Sequence, residues 1–454
     1  MNLDQSLASL RQLVAHLHAK SQSTEHSSAD FRRVIMGGTY FTRAPYGGLA
    51  LIDDELKSYR NCLHDISEIA TKKGLISRSA VESHVQLAIL KALDINGIQA
   101  SLDFDKRLSG ALVELKKSLL VTPQRWELHL QVLGLSAKGL PYKFGACEFY
   151  LADEARIKHI HEKINGPGGG AVQMAGGVDT QPDWGLAQLK RVMIGGTWCT
   201  IHVDAIDKEA ALVLAERHLR LTIDVINFYA EVTVGRARIF LPGDAGPSRR
   251  RGLRIPSDGS APDITQTQVG PLEEFSVVDI PEAMAQLLEL VRVSSWLEKS
   301  KPSELEDRIL SALQWAGRAG IADRREEAFL LYTIAMESLL LGGRSNTEIT
   351  EKFALRGAHL LSSDLDARKN VYKDLKELYG IRSAIVHSGS LEVTDDELSR
   401  IAAVARGALV SVLHLPPFLL MTAESEFEEW FKDQLLGASQ IPYEKPQSWT
   451  SLPS

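Results

Sequence analysis

The stretch Leu378 to Gly389, LYGIRSAIVHSG, holds an arginine and a histidine five positions apart, Arg382 and His387. Histidine titrates near neutrality and can take or give a proton. Arginine carries a permanent charge on a fork of donors that fits phosphoryl oxygens. Together they suit RNA cleavage without a metal. The 2′-hydroxyl loses a proton as it attacks the adjacent phosphate, and the 5′-oxygen gains one as it leaves. The charge on the phosphoryl oxygens is met by the guanidinium. The products are a 2′,3′-cyclic phosphate and a 5′-hydroxyl.

Spacing alone does not specify this chemistry. The same interval separates Arg11 and His16. A histidine in the last turn of a helix is also favoured by the helix dipole. On a regular helix five positions turn a side chain by about 500°, or about 140° net. Arg382 and His387 therefore do not share a face, whereas Tyr379, Ser383 and His387, spaced by four, do. A composite site needs Arg382 to reach round, or two copies of the helix to meet.

The elements that would position these residues are legible between Lys301 and Gln434. Ser303 and Glu306 form an S-x-x-E capping box that opens a helix through Leu305, Ile309, Leu310, Leu313 and Ala316, ending near Gly317 to Gly320. A second helix is expected from about Asp323 to Leu341, with Glu337 inside its apolar run. A third spans about Asn346 to Leu360 and carries Arg356 and His359. Asp364 caps a fourth, about Leu365 to His387, interrupted in propensity by Gly380 and ended at Ser388-Gly389. Close approach of another backbone, or a bend, would explain that glycine. Thr394 and Glu397 box a fifth, which Pro416-Pro417 end. Glu424 to Leu436 adds a short acidic helix, and the final residues read as a frayed tail.

This region resembles the HEPN superfamily, most closely its Apea-like branch. The resemblance rests on AFLLYTIAMESLLLGG in the second helix, ITEKFALRGAHLL in the third and LYGIRSAIVHSG in the fourth. It covers roughly Lys301 to Leu420. It implies a helical bundle that dimerises around the fourth helix and builds one composite, metal-independent ribonuclease site. The family's R-x4-6-H motif falls on Arg382 and His387. Ser383 and Tyr379 would support them, and Glu337 and Arg356 would pack the helices or position RNA. Many family ribonucleases place Asn, Asp or His directly after the arginine, where this chain has Ser383, whose reach is shorter. The resemblance further implies a role in prokaryotic antiviral defence, abortive infection or toxin–antitoxin regulation. The implied partners are RNA, a second copy of the chain and an antitoxin or phage-derived trigger. No cofactor and no metal are implied. The alternative is a catalytically idle dimerisation or ligand-sensing scaffold, with a binding module in the first 300 residues.

The N-terminal part reads as mixed α/β. Leu3, Leu7, Leu10, Val14 and Leu17 predict an opening helix. Helices are expected over Asp53 to Ala70, Ser79 to Leu93, Asp153 to Ile164 and Asp207 to Phe228, with helix mixed with loop over Leu102 to Leu120. Strands are expected around Trp126 to Leu135, Lys143 to Tyr150, Thr200 to Val203 and Glu231 to Leu241. RRVIMGGTY, from Arg32, echoes KRVMIGGTW, from Lys190, as two strand–Gly–Gly elements. The Gly-rich run Gly166 to Gly177 reads as a linker without a phosphate-binding pattern. Pro242 to Pro271 reads as a long loop carrying Arg249, Arg250, Arg251 and Arg254, a basic surface that could meet RNA or an acidic partner. His159 and His161 near Glu162 do not complete a metal-ligand set.

The expected organisation is α+β: an N-terminal α/β region over 1–165, a Gly-rich linker or loop over 166–186, and a second α/β segment over 187–300 with its loop at 242–271. A HEPN-like all-α bundle over 301–420 and a C-terminal helix and tail over 421–454 complete it. The 454 residues carry 51 Lys and Arg against 58 Asp and Glu, a net charge of −7. That excludes a chain-wide basic surface for nucleic acid. Cys62, Cys147 and Cys199 are too scattered for a disulfide framework or a close-spaced zinc motif, which suggests a reducing compartment. The apolar stretch from Ala408 to Met421 is short for a membrane span and contains two prolines. A soluble cytoplasmic protein is expected.

Overall fold

A computed structural model describes residues 2–23, 39–43, 47–51, 53–93, 103–165, 173–174, 185–235, 238–242, 250–254, 263–267, 275–276, 280–342, 348–388 and 392–437. The described residues are α+β and mostly helical, with one small sheet and two short hairpins. The chain forms two compact units. The first comprises Met1–Leu128, Gly170–Gln173 and His202–Glu216, and the second His129–Gly169, Met174–Ile201 and Arg217–Ser454.

The first unit is built from α1 (Leu3–Ser23), the hairpin β1 (Thr39–Arg43) and β2 (Gly47–Leu51), α2 (Asp53–Ala70), α3 (Arg78–Leu93) and α4 (Phe104–Leu119). Its core is a helix-on-helix layer. Leu10, Val14 and Leu17 of α1 meet Ile66 of α2, Val85 and Ile89 of α3 and Leu108 and Leu115 of α4, all buried. The opening leucine stripe therefore does what its spacing predicts. The segment over Leu102 to Leu120, expected to mix helix and loop, is one regular helix from Phe104.

A sheet has the strand order β4-β5-β7-β3-β6. Its strands are β3 (Gln124–Gln131), β4 (Tyr142–Phe144), β5 (Cys147–Leu151), the two-residue β6 (Gln173–Met174) and β7 (Thr197–Ala205). Hairpin β4–β5 pairs Tyr142 with Phe149, and β5 runs antiparallel to β7 with Phe149 opposite Cys199. Helix α5 (Glu154–Asn165) and α6 (Leu186–Met193) flank these strands in sequence, and α7 (Lys208–Val234) follows them.

Three expectations change here. The second strand–Gly–Gly element is helix, then Gly-Gly, then strand. Lys190 to Met193 close α6, with Leu189 and Met193 buried four apart, and β7 starts at Thr197. Of its echo, Arg32 to Gly38 lies outside the described residues. The strand expected from Glu231 is instead the end of α7, which runs to Val234. The Thr233 hydroxyl donates to the Tyr229 carbonyl at 2.8 Å, so a β-branched residue is accommodated on the helix. Among the described residues that follow, Phe240 bridges to Leu133. The long loop contains a hairpin, β8 (Arg250–Arg254) and β9 (Asp263–Thr267), pairing Arg250 with Thr267 and Arg254 with Asp263. Arg250, Arg251 and Arg254 are thus strand residues, and Arg249 lies outside the described residues. Of the Gly-rich run, only Gln173 and Met174 are described.

After α8 (Glu282–Leu287) and α9 (Leu290–Glu298) come α10 (Glu304–Ile321), α11 (Arg325–Leu340), α12 (Ile349–Leu361), α13 (Leu365–Ser388), α14 (Asp395–His414) and α15 (Glu424–Leu435). Both capping boxes form. Ser303 and Thr394 accept from the backbone N–H of Glu306 and Glu397, whose carboxylates return the contact. Helix α10 does not stop at its glycines. A Cβ on Gly317 would stand 1.7 Å from the Asp224 carbonyl, so the glycine is where α10 touches the backbone of α7. Packing overrides its helix-breaking tendency. No described helix is long and apolar enough to cross a membrane.

Candidate active site

Helix α13 runs unbroken to Ser388, so Arg382 and His387 sit on one regular helix, with His387 in its last turn. Asp364 caps the start, accepting from the Ala367 N–H at 2.8 Å. Leu375, Leu378 and Tyr379 are buried, Ser383 is half-buried and His387 is exposed. The face shared by Tyr379, Ser383 and His387 therefore climbs from core to solvent. Gly380 is exposed, and a Cβ there would meet nothing within 4 Å. Among the described residues no backbone approaches it.

Glu337 of α11 holds Arg382. The Arg382 Nε lies 3.1 Å from Glu337 Oε1, and Nη2 donates to Oε2 at 3.4 Å. The two side chains are 25% and 19% exposed, so the pair is at the rim and not in the core. The Arg382 guanidinium stands 5.7 Å from the centroid of the Tyr379 ring, which also packs against Phe353 at 5.0 Å. Burial, then the Glu337 charge and its hydrogen bond with the Tyr379 hydroxyl, push the Tyr379 hydroxyl up to about 12. Tyr379 is therefore a neutral donor at physiological pH. A guanidinium has five N–H donors, and one carboxylate cannot use them all. Arg382 is oriented but not exhausted.

Arg356 belongs elsewhere. It is buried on α12, donating to the Leu340 carbonyl at 2.7 Å and to both Glu428 oxygens of α15, at 2.8 and 2.5 Å. Arg308 of α10 joins it, donating to the Leu339 carbonyl, Glu424 and Glu428 at 2.8 to 2.9 Å. Burial pushes the Glu428 carboxyl up, but hydrogen bonds from the two arginines outweigh it and hold the group below the usual carboxylate range. This network satisfies the last carbonyls of α11 and fastens α15 to them. Sequence reasoning missed Arg308 and Glu428. The trace of Glu428 was the short acidic helix expected over Glu424 to Leu436.

The structure thus brings together Arg382, Glu337 and Tyr379, leaves Ser383 and His387 along the same helix, and separates Arg356. His159 and His161 lie on α5, exposed and half-buried, beside a Lys158–Glu162 pair at 3.8 Å. Among the described residues no group of three or more His, Cys, Asp or Glu side chains is disposed to hold a metal. No family model, curated protein or solved structure matches this chain.

Proposed function

We propose that this chain is an endoribonuclease of the HEPN type, working without a metal through Arg382 and His387. The observation that carries the reading is the end of α13: an exposed imidazole in the last turn, five positions after a rim guanidinium oriented by a carboxylate and a tyrosine. His387 moves the proton between the 2′-hydroxyl, the 5′-oxygen and solvent. Arg382 binds the phosphoryl oxygens as their charge develops. Tyr379 and Glu337 are positioning residues, and Ser383 lines the same face. Because about 140° separates Arg382 from His387 on one helix, a complete site takes two copies of α13 in a homodimer.

The bundle from 301 to 420 is read as the HEPN domain on its sequence resemblance. The defence role, with an antitoxin or phage-derived trigger acting in the cytoplasm, rests on that resemblance alone. A second reading has one observation in its favour. Arg382 paired with Glu337 over an aromatic ring is also how a structural arginine sits, which suits an idle dimerisation scaffold.

The test is incubation of a mixed RNA pool with the full chain in EDTA, followed by mapping of product ends. The nuclease reading predicts 2′,3′-cyclic phosphate and 5′-hydroxyl ends that vanish in His387→Ala. A dimeric, folded wild type that leaves every RNA in the pool intact supports the scaffold.

A further inference from the structure

The second unit contains a cavity of about 420 Å³ that the Arg382 site does not use. Its walls are α7, α10, the start of α11 and the segment 238–241. The volume lies in the range of small-molecule sites, about 300 to 1,000 Å³.

The walls are tied together by buried hydrogen bonds and close backbone contacts. Asn227 clamps the segment from α7: its Nδ2 donates to the Ile239 carbonyl and its Oδ1 accepts from the Ile239 N–H, both at 2.9 Å and buried. Leu133 and Phe240 exchange backbone hydrogen bonds at 2.9 and 3.1 Å. Gly134, at φ +81°, leaves room for the Arg238 carbonyl, which a Cβ would approach to 1.9 Å. Across the cavity, the contact of Gly317 with the Asp224 carbonyl locks α10 onto α7.

The lining is chemically mixed in a specific way. Arg220, Arg238 and Arg318 contribute three guanidinium groups, and Trp315 and Phe240 contribute flat apolar surface. Arg318 lies 5.7 Å from the Trp315 ring centroid. Arg238 donates to Asp323 at 3.0 Å, and Arg318 lies 3.8 Å from Asp224, which also accepts from Gln314 at 3.3 Å. One carboxylate leaves donors on each of Arg238 and Arg318 for a second anion. Asp323 and Glu327 are exposed acceptors at the mouth. A plain anion would not use the indole. A purely apolar ligand would make no use of the donors that Arg238 and Arg318 keep beyond their carboxylate partners.

We propose that this cavity binds a nucleoside monophosphate. The base stacks on Trp315 beside Arg318, the phosphate is held by Arg220 and Arg238, and the ribose hydroxyls donate to Asp323 and Glu327. The proposal does not depend on the ribonuclease reading.

The test is isothermal titration of the full chain with AMP, GMP, CMP and UMP, with the matching nucleosides and inorganic phosphate as controls. At least one nucleotide binds below millimolar concentration, and its nucleoside and inorganic phosphate bind about tenfold or more weakly. Trp315→Leu and Arg238→Gln each weaken that binding by about tenfold with the unfolding midpoint held, while His387→Ala binds as wild type. Should Arg238→Gln not fold, Arg220→Gln gives the same reading. The proposal is overturned if no nucleotide binds at millimolar concentration, if inorganic phosphate binds as tightly as the nucleotide, or if binding is unmoved in the Trp315 and arginine variants.

Discussion

Two arginine sites on the same set of C-terminal helices have opposite characters. Arg308 and Arg356 have side chains 5% and 9% exposed, and Glu424, Glu428 and two helix-end carbonyls take most of their donors, Arg308 Nη2 making no hydrogen bond among the described residues. Arg382 is 25% exposed, held by one carboxylate, on the helix that ends in an exposed histidine. The first arrangement spends the guanidinium on holding helices together. The second orients it and leaves donors over. Residue type would not separate the two, since Arg356 also has a histidine, His359, three positions on. Burial and partner count separate them.

The sharpest break of this contrast is in stability. Arg356→Ala leaves the Glu428 carboxylate to Arg308 alone and should cost about 3 kcal/mol in urea unfolding, the lower end for one partner removed from a buried ion pair. Arg382→Ala, at the rim, should cost only about 1 kcal/mol by the same measurement. Equal losses would show that both arginines are structural.

Acid unfolding sharpens the same difference. The lowered carboxyl of Glu428 contributes stability that is fully present above the ordinary carboxyl range near pH 4.3 and is lost as pH falls through its folded value. Glu231 on α7 has the opposite sign. Its burial outweighs hydrogen bonding from Tyr332 and the Arg406 charge and raises its carboxyl, so its contribution is present at low pH and lost as pH rises through the raised value. Urea midpoints measured from pH 3 to 7 should fall less steeply on the acid side in Glu428→Gln. In Glu231→Gln the decline on the neutral side should flatten.

A smaller effect concerns Tyr379. Glu337→Gln removes the charge that helps hold its hydroxyl near 12, so tyrosine titration followed by NMR should show that resonance moving toward its ordinary value near 10. No movement would mean that the Glu337 side chain does not face Tyr379 in solution.

The helices of this region were legible because local chemistry marks them. The boxes at Ser303 and Thr394, the Asp364 cap and the stop before Pro416 are all short-range signals, and all agree with the structure. Misreadings arose where a distant neighbour decides. Gly317 and Gly320 looked like a helix stop until the backbone of α7 and Glu231 are seen against them. Val232 to Val234 had strand propensity but continue a helix whose preceding turns are buried. The candidate pair was visible as a motif, yet the Glu337 contact that orients Arg382 spans 45 positions. The cavity gathers residues from Arg220 to Leu331 with no periodic mark in the sequence.

The most direct measurement is the rate of RNA cleavage in EDTA by wild type and His387→Ala at equal dimer concentration, with the urea midpoint of each recorded. The account predicts that His387→Ala shifts stability by no more than about 0.5 kcal/mol and abolishes the release of 2′,3′-cyclic phosphate ends. Equal cleavage by both proteins, or a folded wild type that leaves RNA uncut, would contradict it.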